Sequence, residues 1–228
     1  MMLFIHTLKK LKNQSDLKTA FGRLLFTFIA TATFFTTPTH AQSTKKPTKE
    51  VLKVEMSSAI CRLNSLSKNK TRQCINGHPI TIKGYDIGYN RYCSSNTAFK
   101  LSPLQQQLVA RFIPDKKIQK RIWQTYGKCS PLTANEYYRQ LNQRAQNLKL
   151  PKELSSGNSH HVNKAHFMQQ LLSSNKDMSP NNIDLMCKTN SHKQAVLTQI
   201  NFCYKNGKYS ACPKKVGNCP QDFLIYGY

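Results

Sequence analysis

The chain has 228 residues, enough for one domain of ordinary size plus a leader and too few for two large cores. Its 34 Lys+Arg against 10 Asp+Glu give a formal net charge of +24, which draws it toward polyanions: RNA, DNA, anionic lipid or acidic glycans. Eight cysteines, an even number, argue for bridges in an oxidising compartment; with no C-x-x-C pair and no Cys/His cluster at ligand spacing, neither a metal nor another cofactor is expected.

Residues 1–41 read as a signal peptide. Lys9, Lys10, Lys12, Lys18 and Arg23 form a basic leader, and an apolar run from Leu24 reaches Phe35. Thr39-His40-Ala41 then places small residues three before and immediately before a cut after Ala41. The run is too short and too rich in Thr to span a bilayer comfortably, so no membrane span is expected after signal removal. The protein is expected to be exported, to a periplasm or out of the cell. Cleavage would leave 29 basic and 9 acidic residues, a net charge of +20. Residues 42–53 are polar, basic and interrupted by Pro47, which predicts a flexible linker ahead of one domain over 54–228.

In that domain a first strand is predicted at Val54–Ile60 and a second at Pro79–Tyr85. In the second, Ile80 and Ile82 would share one face and Thr81, Lys83 and Tyr85 the other. Ser102-Pro103 is an N-cap followed by Pro at the first helical position, with Leu104, Leu108 and Phe112 as the expected buried stripe and Pro114 as the stop. Asp115 caps a second helix with Ile118, Ile122 and Tyr126 at four-residue spacing, Trp123 beside them and Gly127 at the end. Thr133-Ala134-Asn135-Glu136 is a capping box for a third helix running to about Leu148. Ser155–His161 reads as a loop and Val162–Leu172 as helix. Strands follow at Ile183–Cys187, Ala195–Tyr204, a return after Asn206-Gly207, and Asp222–Tyr226. The hairpin would set Cys203 near Ser210 and diagonal to Cys212, within bridging reach if the ladder is bulged. Strands and helices mixed without βαβ regularity give an α+β class.

Several of these segments, in order, resemble the ribonuclease T2 family, its bacterial periplasmic members in particular. Cys61 and Cys74 sit where the family has an early bridged pair. Thr81-Ile82-Lys83-Gly84-Tyr85-Asp86-Ile87 lies where it has T-x-H-G-L-W-P. Arg91-Tyr92-Cys93-Ser94-Ser95 resembles the stretch whose cysteine bridges to the second motif. Arg121-Ile122-Trp123-Gln124-Thr125-Tyr126-Gly127-Lys128-Cys129 lies where the family has H-E-W-x-K-H-G-x-C. Glu136-Tyr137-Tyr138, Cys187, Gly217-Asn218-Cys219 and the closing Gly227-Tyr228 also fit. The resemblance covers roughly Val54 to Tyr228. It implies an antiparallel sheet with flanking helices and the bridges Cys61–Cys74, Cys93–Cys129 and Cys187–Cys219, which leaves Cys203–Cys212 as an addition.

The family reaction needs a base for the ribose 2′-OH, an acid for the leaving 5′-oxygen, and positive charge on the phosphorus intermediate. Its first-motif histidine is Lys83 here. On the helix, the leading His is Arg121, the Glu is Ile122, the Lys is Thr125 and the second His is Tyr126. The resemblance therefore implies a retained frame without its reactive groups, and no catalytic residue is expected among these positions. His78 would face the opposite way from Lys83, and His160, His161, His166 and His192 read as solvated loop histidines.

The expected function is binding of RNA or another polyanion, with Lys83, Arg121 and Lys128 as cations and Tyr85 and Trp123 as flat faces. Core is the first reading of Trp123, beside the buried stripe. Two alternatives stand beside this one. The first is an active endoribonuclease making a 2′,3′-cyclic phosphate with altered residues such as Lys83 and Tyr126. The second is a scaffold for a protein partner.

Overall fold

Alternation of Leu52, Val54 and Met56 against Val51, Lys53 and Glu55 makes Glu50–Met56 the first strand, β1. This comes from a computed structural model that describes residues 49–64, 71–89, 92–93, 97–213 and 216–228. The leader at 1–41, the lead-in up to residue 48, and Arg91, Ser94 and Ser95 of the third matched stretch lie outside the described residues. The strand starts earlier than the expected Val54, so residues 50–53 belong to the sheet and not to a linker. Their Lys and Glu had masked a two-residue period. Ser57–Leu63 is helix α1, whose first four residues were expected to continue the strand to Ile60; it is entered where Ser57 N–H donates to Pro79 O at 2.9 Å.

The short helix α2, Arg72–Ile75, precedes β2, Ile80–Asp86. Helix α3, Pro103–Ala110, has the expected Ser102 cap, but its buried positions are Gln105 and Val109, with Leu104 67% exposed. The inward face is rotated one position from the predicted stripe, and Ile113 rather than Phe112 completes it. Asp115 caps α4, Lys116–Ile122, through the amides of Lys117 and Ile118. The Thr133/Glu136 capping box opens α5, Ala134–Asn147. His160–Asn163 is strand β3 where loop and helix were expected, and Asn163 caps α6, Lys164–Ser174. Val162, paired with Phe223, is buried in the sheet.

Strands β4, Ile183–Thr189, β5, Ala195–Lys205, β6, Lys208–Tyr209, and β7, Asp222–Ile225, complete a sheet of order β2-β1-β5-β7-β3, with β4 and β6 also on β5. The expected antiparallel pattern has one exception: β5 and β7 are parallel at Val196 and Leu224. The described bridges are Cys61–Cys74, Cys93–Cys129, Cys187–Cys219 and Cys203–Cys212.

The faces of this sheet differ, and that difference places the site. Leu52 and Val54 of β1 pair with Phe202 and Ile200 of β5, all buried in the core. Lys53 and Glu55 point the other way and pair with Asn201 and Gln199. One face is apolar; the other is a polar floor.

Candidate nucleic-acid cleft

The register of β1 against β2 shifts once. Lys53 is opposite Gly84 and Val54 opposite Ile82, which leaves Lys83 as the extra residue of a β-bulge. The bulge sets Lys83 on the polar face, half exposed, with Nζ 3.9 Å from Glu55 Oε2. It also reverses the alternation beyond it. Tyr85, expected to share the Lys83 face, turns into the core, fully buried, and its hydroxyl donates to the Glu50 carboxylate. Tyr85 is therefore not available as a base platform.

Helix α4 runs into a single π turn, Trp123–Gly127, where Gly127 had been expected to end it directly. The wider turn breaks the four-residue stripe: Ile118 and Ile122 are buried, while Tyr126 is only half-buried and swings over β2. A Cβ at position 84 would come within 2.5 Å of the Tyr126 ring, so Gly84 is what lets that ring lie flat on the strand. A Cβ at Gly127 would likewise strike the indole of Trp123. Trp123 is 1% exposed, packs edge-on against Tyr137 and donates from its indole N–H to Thr97 O at 3.3 Å. It belongs to the core and cannot stack on a base.

Lys53 donates to the Tyr126 hydroxyl at 3.0 Å, lies 4.6 Å from the ring centroid, and has Asp86 at 3.9 Å. Glu55 is 9% exposed and accepts from Gln73 Nε2 at 3.4 Å. Burial raises its carboxyl above the ordinary glutamate value, against the pull of Lys83, Arg121 and Lys188. Beside it, the hydroxyls of Ser57 and Thr81 meet at 2.7 Å.

Of the positions matched to the family's catalytic set, Lys83 and Tyr126 face the polar floor and exposed Arg121 acts on it by its charge. Ile122 is 2% exposed and sealed in the core. Thr125 turns back, its hydroxyl donating to Arg121 O at 2.8 Å. Lys128 is half-buried in the turn after the π segment, and among the described residues no ion pair ties it to the floor. His161, His166 and His192 are exposed, and His160 Nδ1 lies 3.1 Å from Asn158 O. The sequence reading missed Lys53, Glu55, Gln73 and Asp86. A strand begun at Glu50 would have put Lys53 and Glu55 on one face.

No family model matches the sequence, and no curated protein matches it. Solved structures do. Ribonuclease MC1 from the seeds of bitter gourd superposes with a TM-score of 0.58 at 15% identity, over 77% of this chain and 98% of that one. The S3-RNase of Japanese pear gives 0.57 at 13%, over 77% and 98%. Trichomaglin, an S-like ribonuclease, gives 0.56 at 13%, over 78% and 97%. A ribonuclease MC1 variant solved in complex with 5′-UMP gives 0.60 at 13%, over 78% and 98%.

Proposed function

The chain has the ribonuclease T2 fold, and from that premise we propose that it is an exported RNA-binding protein whose cleft has lost the proton chemistry of RNA cleavage. The observation that carries this reading is what occupies the cleft. Lys83 is held against buried Glu55, Tyr126 lies under Lys53, and Ile122 has joined the core. An imidazole pair can pass a proton in either direction near neutral pH. This set holds no such pair, and each missing general acid or base costs about 10²–10⁴ in rate.

Binding is supported by the outer side of α4. Lys116, Lys117, Lys120 and Arg121 are exposed there, and the helix itself has no acidic residue. Arg111, just before it, is exposed as well. The charge of Arg121 also favours the ionised form of Glu55, which sets that end of the strip near the polar floor. Such a surface follows a phosphate backbone without reading sequence. Export is supported by the four bridges, which persist in oxidising compartments, and by the leader over 1–41. Among the described residues no helix is long and apolar enough to cross a membrane.

One observation favours a second reading, an endoribonuclease with rebuilt groups. Glu55 is a carboxyl raised by burial, facing the cleft beside a cation, which is the environment of many catalytic acids. A single experiment separates the readings. End-labelled single-stranded RNA is incubated with the oxidised protein, binding is followed across a salt series, and cleavage is read on a denaturing gel. Intact RNA with steeply salt-dependent binding is the expected result. Absent or salt-independent binding removes the RNA reading and leaves a protein partner, sought as a complex that survives nuclease treatment. Cleavage abolished by both Glu55→Gln and Lys83→Ala establishes the enzyme.

A further inference from the structure

Glu50 and Glu55 stand five residues apart on β1, so their side chains leave opposite faces of the sheet. Beneath the core face, at the Glu50 end, lies a cavity of about 550 Å³ that takes no part in the cleft. Its base is rigid. The Glu50 carboxylate is buried and accepts from the Tyr85 hydroxyl, from Arg144 Nε and Nη2 at 3.3 Å each, and from Gly207 N–H at 3.2 Å. Gly207 has φ +84, and a Cβ there would lie 2.8 Å from Arg144 Nη2, so the hairpin turn closes directly onto the guanidinium. Arg144 lies over the Tyr204 ring at 5.2 Å, and Tyr204 stacks on Tyr209 with centroids 5.0 Å apart at 25°.

The open side of the cavity carries different chemistry. Lys176, Asp177, Lys208 and Asn147 line it beside Tyr209, and none of the three charged residues is in an ion pair with another described residue. Two ammonium groups without acidic partners, one free carboxylate and a half-buried tyrosine ring therefore border one space of nucleotide size. Asp177 is fixed in the left-handed region at φ 64, in the turn after α6.

We propose that this cavity binds a ribonucleotide unit. Lys176 and Lys208 take the phosphate, Tyr209 presents its ring to the base, and the Asp177 carboxylate accepts hydrogen bonds from the ribose hydroxyls. The site is independent of the cleft and stands whether or not the cleft binds RNA.

The test is calorimetric titration of the oxidised protein with uridine 5′-monophosphate, its 2′-deoxy counterpart and inorganic phosphate. The ribonucleotide binds more tightly than the other two. The pair Lys176→Ala and Lys208→Ala weakens it by about tenfold or more. Asp177→Asn, which tolerates the same backbone, abolishes the preference for ribose over deoxyribose. The proposal is overturned if the ribonucleotide does not bind, or if phosphate alone binds as well. It is overturned equally if Lys83→Ala abolishes binding while the cavity variants leave it intact, which places the nucleotide in the cleft.

Discussion

Lys83 and Glu55 meet across the β1–β2 pairing at 3.9 Å, the lysine half in solvent and the carboxylate almost sealed beneath it. Lys83 thus has its carboxylate partner within the protein. Burial raises the Glu55 carboxyl, and the opposing charges of Lys83, Arg121 and Lys188 do not cancel that effect. The folded chain therefore keeps this proton at pH values where the unfolded chain has released it. The contribution of Glu55 to stability is greatest below the ordinary carboxylate value of 4.5 and is lost as pH rises through the raised value. Glu55→Gln removes the loss. Thermal unfolding should show the variant melting about 2–4 °C above the parent at pH 8, with the gap closing at pH 4. A gap of equal size at both pH values would mean that no buried charge is being relieved.

The same substitution releases Lys83, and a released cation is one more counterion exchanged on RNA binding. The slope of log affinity against log salt should steepen by nearly one unit in Glu55→Gln. It should become shallower by between one and two units in Lys120→Ala/Arg121→Ala, because exposed α4 carries those charges. Slopes unchanged in both variants would place the RNA on another surface.

Helix starts were legible because their signals are local. Ser102, Asp115 and the Thr133/Glu136 box each act within three residues, and each caps the helix it was read to cap. The cleft was not legible in the same way, because two one-residue irregularities decide it. The bulge at Lys83 sends Tyr85 into the core, and the π turn at Trp123–Gly127 swings Tyr126 out of the Ile118–Ile122 stripe. A fixed period of two or of four contains neither. The start of β1 was hidden by chemistry rather than geometry, since Glu50 and Lys53 read as part of a polar lead-in when both are tied into the sheet's polar contacts.

Tyr85 and Trp123 separate packing from binding. Tyr85→Phe removes one of the donors to buried Glu50 and should cost about 1–2 kcal/mol of stability. Trp123→Ala empties a core site between Gly127 and Tyr137 and should cost about 3–5 kcal/mol. Denaturant unfolding gives both values. RNA affinity, measured below each variant's transition, should match the parent in Tyr85→Phe, and a tenfold loss there would mean that the Tyr85 hydroxyl or the Glu50 network behind it supports binding.

The bridge Cys203–Cys212 closes a loop of 9 residues in sequence separation, around the β5–β6 hairpin. At its far end Cys212 has a backbone tie of its own, Cys212 N–H to Asn181 O at 2.9 Å. The hairpin tip has its own, Gly207 N–H to Glu50. Removing the bridge therefore leaves the native contacts in place and acts mainly by freeing the unfolded chain, a loss of about 2.5 kcal/mol for a loop of this length. Cys203→Ala/Cys212→Ala should lower the unfolding free energy by that amount, read as a lower denaturant midpoint, and the hairpin should stay docked on Glu50. A midpoint within error of the parent would mean that the unfolded chain is already restrained there. A collapse well beyond the expected loss would mean that the bridge, rather than the Glu50 network, holds the hairpin against the sheet.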